Sequence, residues 1–131
     1  YAGQPWRTQE IVHQICTEFY PNNPDGLIGN EDCGQMSAWL VLSAMGFYPV
    51  NPANGIYEFG SPLMKHTVLN LDNGKTFTID VTNAGKTYIQ AVKLNGRAYN
   101  QTYIKHSAIE NGGLLEFVMG DEPNKEWGLG N

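Results

Sequence analysis

One segment of this sequence restricts the fold more than any other, because it reads as a helix that is apolar on every side. The predicted helix runs from about residue 33 to residue 45, ends at Gly46 and is followed by Pro49. From residue 36 to residue 45, only Ser37 and Ser43 are polar. A helix without a polar face is buried on all sides in a stable protein.

The sequence before this segment predicts one amphipathic helix. Pro5 suits a first helical turn, and apolar residues then recur at helical spacing at Ile11, Val12, Ile15, Cys16 and Phe19. Residues 20–26 form a loop rich in Pro, Asn and Gly. One amphipathic helix and a hairpin region cannot enclose the apolar helix, and the sequence does not start with Met. We therefore expect the chain to be a segment of a longer protein.

From about residue 55 onward the pattern changes to that of β-strands. Phe77, Ile79 and Val81 alternate with polar residues, which is the period of a half-buried strand. Asn-Gly pairs at 73–74, 95–96 and 111–112 separate the apolar stretches, and such pairs favour the primed turns of hairpins. We predict five or six antiparallel strands, an α+β fold, and a boundary near residue 50 that divides helices (1–50) from a β region (51–131).

Composition excludes several classes of function. Of 131 residues, 41% are hydrophobic and 16% charged, which is typical of a globular protein. The net charge is −5 and no Lys/Arg cluster exists, so nucleic acid and anionic membranes are poor candidate partners. No apolar run is long enough to span a bilayer.

Cysteines and histidines indicate no metal site in this chain. Cys16 and Cys33 both fall in predicted helical segments, and they either pair or stay as buried free thiols, depending on geometry. The three histidines, His13, His66 and His106, lie far apart in different elements and show no zinc-ligand spacing.

The candidate catalytic residues lie where the loop opens into the apolar helix. Glu31 and Asp32 are adjacent carboxylates bracketed by Gly29 and Gly34. Carboxylates at the mouth of a buried helix are costly unless they are satisfied or used. A carboxylate held in a fixed orientation beside a second one is suited to act as a general base.

A structural alternative exists for the same residues. Asp32 followed three residues later by Gln35 is a capping-box arrangement, in which the Asp32 side chain is the N-cap of the helix. Glu31 is then an acid favoured by the helix dipole. The two interpretations are compatible.

Aromatic residues offer candidate sugar contacts. Trp6 lies among polar residues, Thr8 included, and this cluster suits the rim of a cleft, so Trp6 and Thr8 are predicted to bind substrate. Trp39, Tyr48 and Phe47 are further aromatic candidates, but core packing is the favoured interpretation for Trp39 and Phe47.

Several long motifs in order resemble glycoside hydrolase family 92, the calcium-dependent exo-acting α-mannosidases. They are YAGQPWRTQ (1–9), GLIGNEDCGQMSAW (26–39), GFYPV (46–50), GSPL (60–63) and WG (127–128). The resemblance covers almost the whole chain and implies that it is the carboxyl-terminal part of such an enzyme. Residues 1–50 would then be the last helices of an (α/α)6 barrel, and residues 51–131 a small antiparallel, sandwich-like β region packed on it.

The resemblance also implies a mechanism. Family members remove terminal α-linked mannose with inversion, using an acid and a base on opposite faces of the sugar. The base lies in the turn that corresponds to residues 29–32, which assigns it to Asp32 with Glu31 and Asn30 in support. Some members have a second Asp where this chain has Asn30, so Asn30 is a hydrogen-bonding helper at most.

The resemblance places the remaining machinery outside this chain. The general acid and most ligands of the Ca²⁺ ion lie upstream of Tyr1 in the family, so we expect the isolated chain to be inactive. The expected partners are α-mannoside oligosaccharides or mannose-rich glycans, together with the rest of the barrel and an amino-terminal β-sandwich. The parent is expected to be periplasmic, cell-surface or secreted in a bacterium. The alternative function is a non-catalytic carbohydrate-binding or structural module.

Overall fold

A computed structural model describes residues 3–129, and its helices lie mainly in the first third of the chain. The two long helices are α1 (Pro5–Glu18) and α2 (Gln35–Met45), and a short third helix, α3 (His106–Glu110), lies among the strands. The first helix matches its prediction, and the second begins two residues later than predicted. Helix α3 was not predicted, because its five residues are too few to show a periodic pattern.

Eight strands within residues 3–129 form two sheets. They are β1 (Phe47–Tyr48), β2 (Ile56–Phe59), β3 (His66–Asn70), β4 (Thr76–Thr82), β5 (Tyr88–Leu94), β6 (Arg97–Ala98), β7 (Tyr103–Lys105) and β8 (Gly113–Gly120). The small sheet has the order β1-β2-β7 and the large one β3-β4-β8-β5-β6. The α+β fold class is confirmed.

The prediction of five or six antiparallel strands is too low in number, since eight lie within residues 3–129, and it is wrong in direction at one position. Strand β8 lies between β4 and β5, and it runs parallel to β4 and antiparallel to β5. This order arises because β7 and α3 carry the chain back to the edge at which β4 starts, so that β8 enters in the same direction. The third Asn-Gly pair therefore precedes a strand without forming a hairpin turn.

The prediction that Asn-Gly pairs form primed turns is correct at one of the three pairs. Asn95 and Gly96 have φ values of 52° and 76°, as a primed turn requires, and they join β5 to β6. At the other two pairs only the glycine has a positive φ, 80° for Gly74 and 74° for Gly112.

The core lies on one face of the large sheet. The small sheet, the end of α2 and the carboxyl-terminal segment cover this face. Its buried members include Met45, Phe47, Phe59, Phe77, Ile79, Val81, Ile89, Val92, Ile104, Ile109, Leu115, Phe117, Met119 and Trp127. The alternating residues of β4 point into it as predicted. Trp127 fixes the last segment there by donating its Nε1–H to the Tyr99 carbonyl at 3.3 Å.

Polar contacts attach α1 to the large sheet. Gln9, which is 2% exposed, accepts the backbone N–H of Ile89 in β5 through Oε1 at 2.9 Å. Buried Ser61 donates its hydroxyl to the Thr87 carbonyl at 2.8 Å and lies 3.2 Å from Nδ1 of His13. Side chains thus join α1 to the large sheet. The predicted domain boundary near residue 50 stays a prediction.

The apolar helix α2 is not buried on all sides by the described residues. Only Ser43, Ala44 and Met45 are buried along it, and Val41 is 50% exposed. Its first two turns present apolar side chains to solvent. A helix without a polar face is normally covered on all sides, and the described residues do not cover this one. No helix within residues 3–129 is long and apolar enough to cross a membrane.

Removing the Gln9 amide should weaken the attachment of α1. In Gln9→Ala the buried Ile89 N–H loses its acceptor, and we expect the free energy of unfolding to fall by about 1–3 kcal/mol. Gln14→Ala is the matched control, because the Gln14 amide pairs with Glu18 at the surface, and it should cost no more than about 0.5 kcal/mol. Urea denaturation of the 131-residue chain measures both, and equal losses would contradict the proposed attachment.

Candidate functional site

The loop that carries the two carboxylates is held between α1 and α2 by Tyr20. The Tyr20 ring stacks on Trp39 with centroids 5.7 Å apart, and its hydroxyl donates to the Met36 carbonyl at 3.5 Å. Burial is the main reason that the pKa of Tyr20 is raised, with further contributions from Cys16 and Glu31. The start of α2 therefore lies beside the end of α1.

Three consecutive residues before α2 have left-handed backbone conformations. Their φ values are 44° for Asp32, 61° for Cys33 and 89° for Gly34. Glycine adopts this region freely, whereas a residue with a Cβ pays roughly 1–2 kcal/mol for it. Backbone strain of this kind concentrates at functional sites.

The left-handed turn rules out the capping box predicted for Asp32 and Gln35. The N-cap position belongs to Gly34, whose carbonyl accepts the N–H of Ala38 at 2.9 Å, and no side chain of the N-cap residue caps the helix. Three left-handed residues turn the chain away from the geometry in which an N-cap Asp reaches the first helical N–H groups. Cys33 likewise precedes the helix, although it was predicted to lie within it.

Glu31 provides the cap in place of Asp32. Its Oε1 accepts the backbone N–H of Ser37 at 3.0 Å, and its carbonyl accepts the N–H of Gln35 at 3.0 Å. These bonds satisfy two of the four donors that a helix start leaves free. The second carboxylate oxygen of Glu31, Oε2, is buried and has no hydrogen-bond partner among the described residues.

Asp32 is left exposed by this arrangement. Its carboxylate has no partner within residues 3–129. Asn30, two residues earlier, is also exposed. A solvent-facing carboxylate on a turn fixed from both sides can accept a proton from a water molecule, which is the chemistry of a general base.

The structure does not bring Trp6 and Thr8 together with Asp32. Trp6 is half-buried, with Lys125 Nζ 6.0 Å from its ring centroid. Thr8 lines a cleft of about 390 Å³ with Val50, Glu58 and Thr102. Both lie in the first turn of α1, a helix that spans about 21 Å at 1.5 Å per residue, whereas Tyr20, which contacts the start of α2 at Met36, follows its last turn. Their role in binding substrate stays a prediction.

The other aromatic candidates separate into core and surface. Phe47 is 2% exposed and packs in the core, as predicted. Trp39 is only half-buried and lies between Tyr20 and Tyr48, with its centroid 6.4 Å from that of Tyr48.

The two cysteines do not pair. Cys16 is buried in α1 and Cys33 is exposed in the left-handed turn. Burial raises the pKa of the Cys16 thiol from 9.0 to about 11. Of the two alternatives that the sequence left open, free thiols are confirmed, but the expected burial is wrong for Cys33 because it precedes α2 in the left-handed turn.

The described residues do not form a calcium site by themselves. Within residues 3–129, no three His, Cys, Asp or Glu side chains lie close enough together to hold a metal ion. Calcium prefers six to eight oxygen ligands, so the acidic turn with Glu31 and Asp32 does not fit this ion without ligands from other residues.

Sequence reasoning missed the capping role of Glu31 and the contacts of Tyr20. Glu31 and Ser37 are six residues apart, a spacing that no standard capping motif contains. Gly34 was the available signal, because a glycine just before an apolar helix permits a left-handed entry that moves the cap to an earlier residue.

Comparisons with known proteins agree on one family. The model of the glycosyl hydrolase family 92 catalytic domain matches residues 1–121. An uncharacterized secreted glycosidase from Arthroderma benhamiae is 33% identical over 139 residues, covering 99% of this chain and 17% of that protein.

Solved structures of the same family share the fold. A GH92 α-mannosidase from Bacteroides thetaiotaomicron, solved in complex with mannoimidazole, is 37% identical with a TM-score of 0.94, covering 99% of this chain and 17% of that one. A GH92 inverting mannosidase from the same organism is 39% identical with a TM-score of 0.92, covering 99% and 18%. The chain thus spans less than a fifth of the length of these relatives.

Thiol labelling tests the placement of the left-handed turn. At mildly alkaline pH, iodoacetamide should alkylate Cys33 and leave Cys16 unmodified, because Cys16 is buried and protonated and the thiolate is the reacting form. Intact mass spectrometry should show one adduct on the wild-type chain, one on Cys16→Ser and none on Cys33→Ser. Labelling of Cys16 in the folded chain would contradict the structure.

Proposed function

Because the chain belongs to glycosyl hydrolase family 92, we propose that it supplies the general base of an exo-acting, inverting α-mannosidase. The observation that carries the proposal is the exposed Asp32 carboxylate on a strained turn, next to a Glu31 carboxylate that is occupied elsewhere. The solved relatives named as mannosidases support mannose as the sugar, and the one named as inverting supports a single displacement.

In the proposed reaction, Asp32 accepts a proton from a water molecule while that water attacks the anomeric carbon of the terminal mannose. The bond to the leaving oxygen breaks on the opposite face, and a general acid from another part of the enzyme protonates that oxygen. Inverting enzymes keep the two carboxyl groups roughly 6.5–9.5 Å apart, which leaves room for the water. The first product is then β-mannose.

The remaining parts of the proposal concern the whole enzyme. The α-1,2 linkage is the proposed substrate bond, in mannose-rich oligosaccharides. The acid and the calcium ligands come from residues outside those described, and the isolated chain is inactive. Secretion or display at the cell surface is supported by the relative named as a secreted glycosidase.

For the large sheet we propose a supporting role. Gln9 of α1 accepts the Ile89 N–H of β5 at 2.9 Å. Ser61 lies 3.2 Å from Nδ1 of His13 in α1 and donates to the Thr87 carbonyl, just before β5, at 2.8 Å. Since Tyr20 at the end of α1 contacts α2, the sheet holds the helix pair that positions the carboxylate turn.

Replacing Asp32 in the enzyme that contains this chain tests the base assignment. In Asp32→Ala, kcat for an aryl α-mannoside should fall by about 10²–10⁴-fold, the usual contribution of a general base. KM and the melting temperature should change little, because the carboxylate has no partner within residues 3–129. The matched control is Asp25→Ala, which removes an exposed Asp of the same loop and should keep full activity.

Two outcomes would contradict the assignment. Wild-type turnover by Asp32→Ala would exclude Asp32 as the base. A lowered melting temperature with unchanged kcat would show that Asp32 serves the fold instead.

A further inference from the structure

We infer that Glu31 is the positioning residue of the proposed base: it holds the left-handed turn that presents Asp32 and does not itself activate water. This inference rests on the proposed function, since it concerns how Asp32 is oriented for that reaction. It assigns different tasks to two adjacent carboxylates that are chemically almost identical.

The accessibility of its two oxygens shows why Glu31 is not the base. Oε1 accepts the Ser37 N–H at 3.0 Å. Oε2 is closed off from solvent and has no partner among the described residues. A general base must come within hydrogen-bond reach of the water that it deprotonates. In Glu31 one oxygen is shielded from water and the other already accepts a backbone N–H, whereas the neighbouring Asp32 is exposed and has both oxygens free of partners within residues 3–129.

The connections of Glu31 show what it does instead. Its side chain binds the N–H of Ser37 and its main chain binds the N–H of Gln35, so one residue is joined to α2 at two points. The residues enclosed between Glu31 and Gln35 are the three left-handed ones, Asp32, Cys33 and Gly34. Strained conformations persist only where the surroundings over-determine them, and within the described residues these two bonds close the turn.

The unpartnered oxygen adds a further constraint. A carboxylate oxygen buried without a donor costs free energy, yet the side chain stays folded into the turn. Among residues 3–129, only the Ser37 N–H holds the carboxyl group in this place, and that bond needs an acceptor oxygen at the reach of Glu but not a negative charge. The amide of Gln has the same reach and the same acceptor, while the carboxylate of Asp is one methylene shorter.

Three substitutions in the enzyme that contains this chain separate reach from charge. Glu31→Ala should lower kcat by about 100-fold, the loss expected from a misplaced catalytic group, with KM unchanged. Glu31→Gln should keep kcat within a few-fold of wild type, and Glu31→Asp should fall with Glu31→Ala. Glu18→Ala, which removes an exposed Glu of α1, is the matched control and should have no effect.

The double variant tests whether Glu31 acts through Asp32. If it does, Glu31→Ala should cause no further loss in the Asp32→Ala background, because the group that it positions is absent. A loss of equal size in both backgrounds would overturn the inference, as would equal activity of Glu31→Gln and Glu31→Asp. Should Glu31→Ala fail to fold, the comparison of Gln with Asp still decides.

Failure of the inference is distinct from failure of the proposed function. An inactive Asp32→Ala together with a fully active Glu31→Ala would keep Asp32 as the base and remove Glu31 from the mechanism. A fully active Asp32→Ala would overturn the function, whatever the Glu31 variants show.

Discussion

The hydrogen bond from the Ser37 N–H to the Glu31 carboxylate determines how the candidate site is built. It starts α2 without an N-cap side chain and closes a turn of three left-handed residues. A helix that began with Asp32 as its cap would use that carboxylate to satisfy backbone donors. Because Glu31 meets this need, Asp32 is free to face solvent at the helix start. Glu31 and Asp32 therefore differ in role because the backbone is left-handed from Asp32 to Gly34.

The β region also helps to fix the position of the turn that carries Asp32, although it does not contact Asp32 directly through any bond described above. Gln9 is nearly inaccessible and binds β5, so the axis of α1 is fixed relative to the large sheet. Tyr20 at the far end of α1 stacks on Trp39 and contacts Met36 in α2. The turn with Asp32 is thus connected to the core through side chains of α1. The first turns of α2, with Val41 half-accessible, present apolar surface that the described residues leave uncovered.

Local patterns in the sequence predicted most elements correctly. The alternation in β4 and the turn at Asn95 and Gly96 depend on neighbouring residues alone, and both agree with the structure. The parallel pairing of β8 with β4 depends on residues more than 30 positions apart, which no local pattern encodes. The start of α2 was misplaced because Gly34 signals a left-handed entry only at its own position, and no pattern extends that conformation to Asp32 and Cys33. The acidic pair was identified from the sequence, but the division of labour within it needed the structure.

Chemical rescue with azide tests most directly whether Asp32 activates the attacking water. Asp32→Gly in the enzyme that contains this chain removes the base and opens space on the face that water uses. Azide needs no deprotonation, so it should restore cleavage of an aryl α-mannoside and yield β-mannosyl azide, identified by proton NMR. Cleavage by the wild-type enzyme should release β-mannose first. An α-mannosyl azide, or an absence of any azide adduct in an enzyme that still folds and binds mannose, would contradict the account.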